Sequence, residues 1–144
     1  MRKPTENILL LSSIDPDNQS AGTVNGDYVK ADKFDQYLAV FNIGVMTSTG
    51  TCIFSVTQST DASGTGAKAV KTATTLTEAG TDSDKQVMIS IKDSDMDIAG
   101  GFLWLNIRAV TAVAASYVCG NLFGINPKFG ADTTIDLSTV DEIL

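Results

Sequence analysis

Three carboxylates stand at alternate positions in Asp93-Ser94-Asp95-Met96-Asp97, the spacing at which a calcium loop presents its first oxygen ligands. The rest of that loop is missing. Ile98 holds the sixth position, where glycine makes the sharp turn, and Trp104 the twelfth, where a bidentate glutamate belongs. The segment therefore reads as a solvated acidic turn, and no metal ligand is assigned. Gly64-Thr65-Gly66-Ala67-Lys68 has the glycines and the lysine of a phosphate loop, but neither its spacing nor a hydroxyl residue after the lysine. Asp15-Pro16-Asp17-Asn18 is turn chemistry. The chain contains no histidine, which removes Ser-His-Asp triads, Cys-His pairs and imidazole-ligated zinc. Its 17 acids allow many carboxylate pairs for glycoside hydrolysis, yet nothing singles one out, and most aromatics fall within strand patterns. No catalytic or cofactor-binding residue is assigned, and no cofactor is expected.

Trp104, the chain's one tryptophan, shares a strand face with Arg108, opposite Leu103, Leu105 and Ile107. Two readings stay open. It belongs to a second packed layer, or it marks a subunit or partner interface, where Trp and Arg are enriched. A sugar-stacking platform is a third.

The elements that must position these residues are strands. Val, Ile and Thr occupy 39 of 144 positions, whereas Glu, Gln, Lys, Arg and Met together occupy 21, a ratio that favours sheets over surface helices. Tyr37 to Met46 puts Tyr37, Ala39, Phe41, Ile43 and Val45 on one face and Leu38, Val40, Asn42, Gly44 and Met46 on the other. Apolar on nearly both faces, it reads as a central strand with something packed on its outer side. Thr51 to Thr57 reads as its hairpin partner, 58–68 as a loop, 69–76 as an edge strand and 77–84 as a second loop. Strands follow over 86–92, 102–113 and 116–125, and 22–30 supplies one or two short strands around an Asn-Gly turn. Seven or eight strands at this spacing predict an all-β, two-sheet antiparallel β-sandwich. A jelly roll is the favoured topology and an immunoglobulin-like sandwich the second.

One domain covers 1–144, with a core over about 22–125, an N-terminal arm over 1–21 and a C-terminal arm over 126–144. The arms carry apolar residues without evident sheet partners: Ile8, Leu9, Leu10 and Leu11, then Ile135, Leu137, Val140, Ile143 and Leu144. They either pack back across the sandwich or extend onto a neighbouring subunit, and with Trp104 and Arg108 they form the expected interface set. Ser138 before Asp141 gives the final stretch a weak helix start.

Net charge is −7, the 8 lysines are scattered and only Arg2 and Arg108 are arginines, so nucleic acid is not an expected partner. The apolar run of 8–11 is too short for a signal peptide, and no stretch is long enough to span a membrane. Cys52 and Cys119 lie in apolar strand contexts and read as two buried thiols in a reducing compartment, with the chain made in the cytoplasm.

From Phe34 onward, SVTQSTDASGTGAKAVKTATTLTEAGTDSDKQVMISIK and DSDMDIAGGFLWLNIRAVTAVAASYVCGNLFG resemble small structural proteins of tailed bacteriophages. Such chains often end in an Arg-Tyr-x-Pro-like segment; here Ile125-Asn126-Pro127-Lys128-Phe129 stands there, followed by a tail to Leu144. The resemblance implies a non-enzymatic capsid decoration, or cement, protein with a jelly-roll-like sandwich. Such proteins lie on the capsid surface of the virion, bind the major capsid protein and assemble as dimers or trimers. The alternative from another class is a carbohydrate- or receptor-binding module of a phage head or tail fibre. Another head or tail structural component is a third possibility.

Overall fold

The computed structural model describes residues 4–128. Expectations placed on 129–144, including those for Ile135, Leu137, Val140, Ile143 and Leu144, lie outside the described residues. A single helical turn, α1 (Pro4–Asn7), is followed by ten strands: β1 (Ile8–Gln19), β2 (Gly22–Asn25), β3 (Val29–Lys30), β4 (Phe34–Met46), β5 (Thr51–Ser59), β6 (Lys68–Thr72), β7 (Leu76–Thr77), β8 (Lys85–Lys92), β9 (Trp104–Ala112) and β10 (Ser116–Pro127). They form two antiparallel sheets that pack face to face. The first sheet runs β1-β10-β4-β8. The second runs β2-β9-β5-β6, with β3 continuing β2 along β9 and β7 continuing β6 along β5.

If β2/β3 and β6/β7 are each counted as one strand, the first pairs with the last, the second with the seventh, the third with the sixth and the fourth with the fifth. That is one long antiparallel ribbon rolled across two sheets, the jelly roll. Period-2 alternation supplies the core: Tyr37, Ala39, Phe41 and Ile43 from β4, Ile89 and Ile91 from β8, and Leu105, Ile107 and Ala109 from β9 are all buried. Phe41 of the first sheet stacks on Phe54 of the second, ring centroids 4.6 Å apart, and so ties the layers together. Gly120 and Gly124 of β10 leave room for aromatic rings. A Cβ on Gly120 would lie 2.7 Å from Phe41, and one on Gly124 2.6 Å from Phe34.

Several expectations are corrected. The N-terminal arm over 1–21 does not hold: Ile8–Gln19 is a strand of the sandwich, paired along β10 from Ile8↔Ile125 to Gln19↔Ser116. Its apolar run had a sheet partner that periodicity could not identify. The C-terminal boundary at 126 also moves, because β10 runs to Pro127, opposite Phe34. Thr51–Ser59 is not the hairpin partner of β4. The chain crosses between sheets there, and β5 pairs with β9. Val45 is exposed and Met46 buried, because β4 carries one extra residue opposite Tyr117, a bulge that reverses the side-chain phase.

Candidate interaction surfaces

An apolar band crosses the outer side of the β1-β10-β4-β8 sheet diagonally, with one or two apolar residues from each strand. Register places Ile8 beside Ile125, then Leu10 beside Phe123 and Phe123 beside Leu38, while Val40 stands beside Met88. Leu10, Phe123, Ile125, Leu38 and Val40 are half-buried, Ile8 is 49% exposed and Met88 71% exposed. Further along, the β4 bulge leaves Gly44 against Tyr117. A groove of about 470 Å³ opens there between Pro16, Asn42, Gly44, Tyr117 and Cys119. Polar side chains border the band: Gln36 beside Ile125, Ser90 beside Leu38, Ser13 and Asn121 in the Val40 row, and Gln86 and Lys92 along β8. An apolar patch with a polar border is what a protein interface presents before assembly.

The expected interface set is divided by the fold. Ile8 and Leu10 point to this outer face. Leu9 and Leu11 are buried within the sandwich and are corrected to core residues. Both point inward by ordinary alternation, and an extra residue in β1 at Leu11, between the pairs Leu10↔Phe123 and Ser12↔Leu122, turns Ser12 and Ile14 inward as well. Trp104 and Arg108 lie on the opposite side of the molecule, on the outer face of the second sheet, and both are half-buried. That face is polar where β5 and β9 meet. Asn106 donates to the carbonyl of Gly26 and accepts from the Thr57 hydroxyl, while Ser59 donates to the carbonyl of Asp61 at 2.7 Å. The loop after β5 is folded around Asp61, whose carboxylate accepts from the backbone of Ser63 and Thr65. A side-chain hydrogen bond from Thr65, then those backbone bonds, hold its carboxyl below the usual carboxylate range. Sequence had signalled the apolar face through the doubly apolar β4. Phe123, Ile125 and Met88 were missed, because their place on one surface depends on which strands are neighbours.

The acidic turn is built by ion pairs. Asp93, Asp95 and Asp97 diverge to three lysines: Lys128 at 2.9 Å, Lys71 at 2.7 Å and Lys68 at 2.5 Å. Asp95 also accepts from the backbone of Lys92, and Asp97 from that of Gly100. Hydrogen bonding from the lysines, then from backbone, lowers the carboxyl pKa of both. Their 1-3-5 spacing thus serves to tie β6 and the end of β10 to the β8–β9 connection. Among the described residues no group of three His, Cys, Asp or Glu side chains is arranged to hold a metal ion.

The cysteines are free and belong to different layers. Cys52 is buried between the sheets, and burial pushes its thiol up to about 12. Cys119 is corrected from buried to half-buried. It sits on the outer face of the first sheet, with the Asn42 amide 3.6 Å from its sulfur. Among the described residues no helix is long and apolar enough to cross a membrane.

No protein-family model and no curated protein sequence matches the chain. Among solved structures, the top component of Cowpea mosaic virus, described as naturally occurring empty particles, is similar. The TM-score is 0.39 with 11% identity, over 87% of this chain and 88% of that one. The strand-pairing order, and not that likeness, carries the jelly-roll assignment.

Proposed function

We propose that this protein is a non-enzymatic virion structural protein. It binds the outer surface of a phage capsid and stabilises the shell by bridging major capsid protein subunits, assembling as a dimer or trimer. The observation that supports this is the apolar outer face of the β1-β10-β4-β8 sheet, from Ile8 across to Met88. A chain of net charge −7 that carries such a band on a rigid sandwich is suited to lie against another protein surface. The resemblance of residues from Phe34 onward to small phage structural proteins points to the capsid as that surface. Bridging requires no reacting group. A protein that binds only the assembled shell shifts the equilibrium toward it by the free energy of binding.

The test is co-sedimentation with capsids lacking this protein. Saturable binding that raises the temperature at which the shells open is the expected result. A chain that stays in the supernatant at micromolar concentration would overturn the proposal.

A further inference from the structure

Each sheet ends in two edge strands, and three of the four are blunted against pairing with another chain. β1 carries Pro16 between Asp15 and Asp17 and two breaks of register. β2 is four residues long, and β6 is five, with Lys68 and Lys71 among them. β8 has none of these devices. Its register against β4 is unbroken from Lys92↔Gln36 to Lys85↔Ile43, and residues 86–91 include no charge, proline or glycine. Just beyond Lys85, the N–H of Asp84 donates to the carbonyl of Gly44, so the even-numbered residues of β8 turn their backbone groups to β4. Those of Lys85, Val87, Ile89 and Ile91 therefore point away from the sheet. Among the described residues no further hydrogen bond reaches them. Beside this edge a groove of about 420 Å³ opens toward β6, with Thr72, Ala73, Val87 and Ile89 in its lining.

We propose that the β8 edge pairs antiparallel with the β8 edge of a second copy, about a two-fold axis at Ile89, so that the two four-stranded sheets become one of eight strands. The strand is complementary to itself in that register. Ile89 stands opposite its own copy and Val87 opposite Ile91, so apolar meets apolar on the inward side. The same residues carry the outward backbone groups, and their three pairs exchange about six hydrogen bonds. On the outer side Met88 stands opposite Ser90 and Gln86 opposite Lys92. Lys85, in no ion pair among the described residues, stands opposite Asp93 of the second copy, and no lysine meets a lysine. Moving the axis to Met88 would put Lys85 opposite Ile91, and moving it to Ser90 would put Lys92 opposite Met88. The lysines of β6 are already paired, Lys68 with Asp97 and Lys71 with Asp95, so the two grooves meet without bare like charges. One strand edge is a small interface, and the dimer it makes is reversible.

Sedimentation equilibrium of the full-length protein over about 1–200 µM is expected to show a monomer–dimer equilibrium with a Kd in the micromolar range. Val87→Pro removes an outward N–H and leaves every bond between β8 and β4 in place, since proline is tolerated on an edge whose N–H faces solvent. It is expected to weaken dimerisation at least about tenfold, whereas Val87→Ala, which keeps the N–H, stays within about threefold. Lys85→Glu, set against Asp93 of the second copy, is expected to weaken it about 3- to 10-fold. Each variant is checked for unchanged far-ultraviolet circular dichroism. Amide exchange in the unsubstituted protein gives a reading that needs no variant. The amides of Val87, Ile89 and Ile91 are expected to exchange faster on dilution, while those of Met88 and Ser90, bonded to β4, keep their rates. A chain that stays monomeric at about 200 µM would overturn the proposal. So would a dimer that Val87→Pro leaves intact, or exchange at Val87, Ile89 and Ile91 that ignores dilution. No capsid enters these measurements, so the dimer and the capsid reading can each fail without the other.

Discussion

Met88→Ser separates an interface role from a folding role on the outer face of the first sheet. Met88 is 71% exposed on β8, opposite Val40. Its side chain has little left to lose within the monomer, so the stability of the free chain is expected to change by less than about 0.5 kcal/mol. Burying a methionine completely is worth about 1.5–3 kcal/mol. Since 71% of its surface is still available to a partner, covering it would contribute about 1–2 kcal/mol. Serine keeps the site neutral, so the loss is one of apolar area and not of charge. The expected result is a Kd for capsids weakened about 5- to 30-fold, read by sedimentation of a titration series. Val113→Ser is the matched control. Val113 is 72% exposed but sits in the turn between β9 and β10, off the apolar band. Its substitution is expected to leave capsid affinity within about twofold of the parent. Unchanged binding of Met88→Ser, or equal weakening by both substitutions, would refute the assignment of this face.

Gly124→Ala should destabilise the fold by about 1–3 kcal/mol in urea unfolding, because the new methyl meets Cγ and both Cδ atoms of Phe34 at 2.6–2.7 Å. Phe34 is itself buried and held edge-on by Tyr37 at 6.0 Å, so a loss below about 0.5 kcal/mol would mean the ring is freer than its packing indicates. A thiol reagent applied to the native protein at pH 8 should modify Cys119 and spare Cys52, whose thiol is buried with a pKa near 12. Bound capsid should protect Cys119, and peptide mapping of the labelled protein reads both outcomes. Asp61, Asp95 and Asp97 have folded pKa values lowered by hydrogen bonds, so they contribute stability that is complete above the unfolded value of about 3.9. The melting temperature should therefore lose nothing through these groups between neutral pH and about 5, and fall as pH drops through 4 and below. Replacing all three by Asn should flatten that acid limb; an unchanged acid limb would refute the pairing.

Much of the interior was legible in the sequence, because burial of one face of a strand writes itself as period-2 alternation. Tyr37, Ala39, Phe41 and Ile43, then Ile89 and Ile91, then Leu105 and Ile107 all point inward as that pattern predicts. The acidic turn was recognised as a turn, and the β-branched composition indicated an all-β sandwich. Alternation says which side of a strand faces the core, but nothing about which strand lies beside it. Pairing order is decided by contacts between residues far apart in the chain. Tertiary structure therefore gave Ile8–Gln19 a partner in β10, sent β5 to the sheet opposite β4, and gathered Ile8, Phe123, Leu38 and Met88 onto one surface. It also decided the side-chain phase from Ser12 onward in β1 and from Val45 onward in β4. A single extra residue in one strand reverses every side chain beyond it, and only the register against the neighbouring strand reveals that it is there.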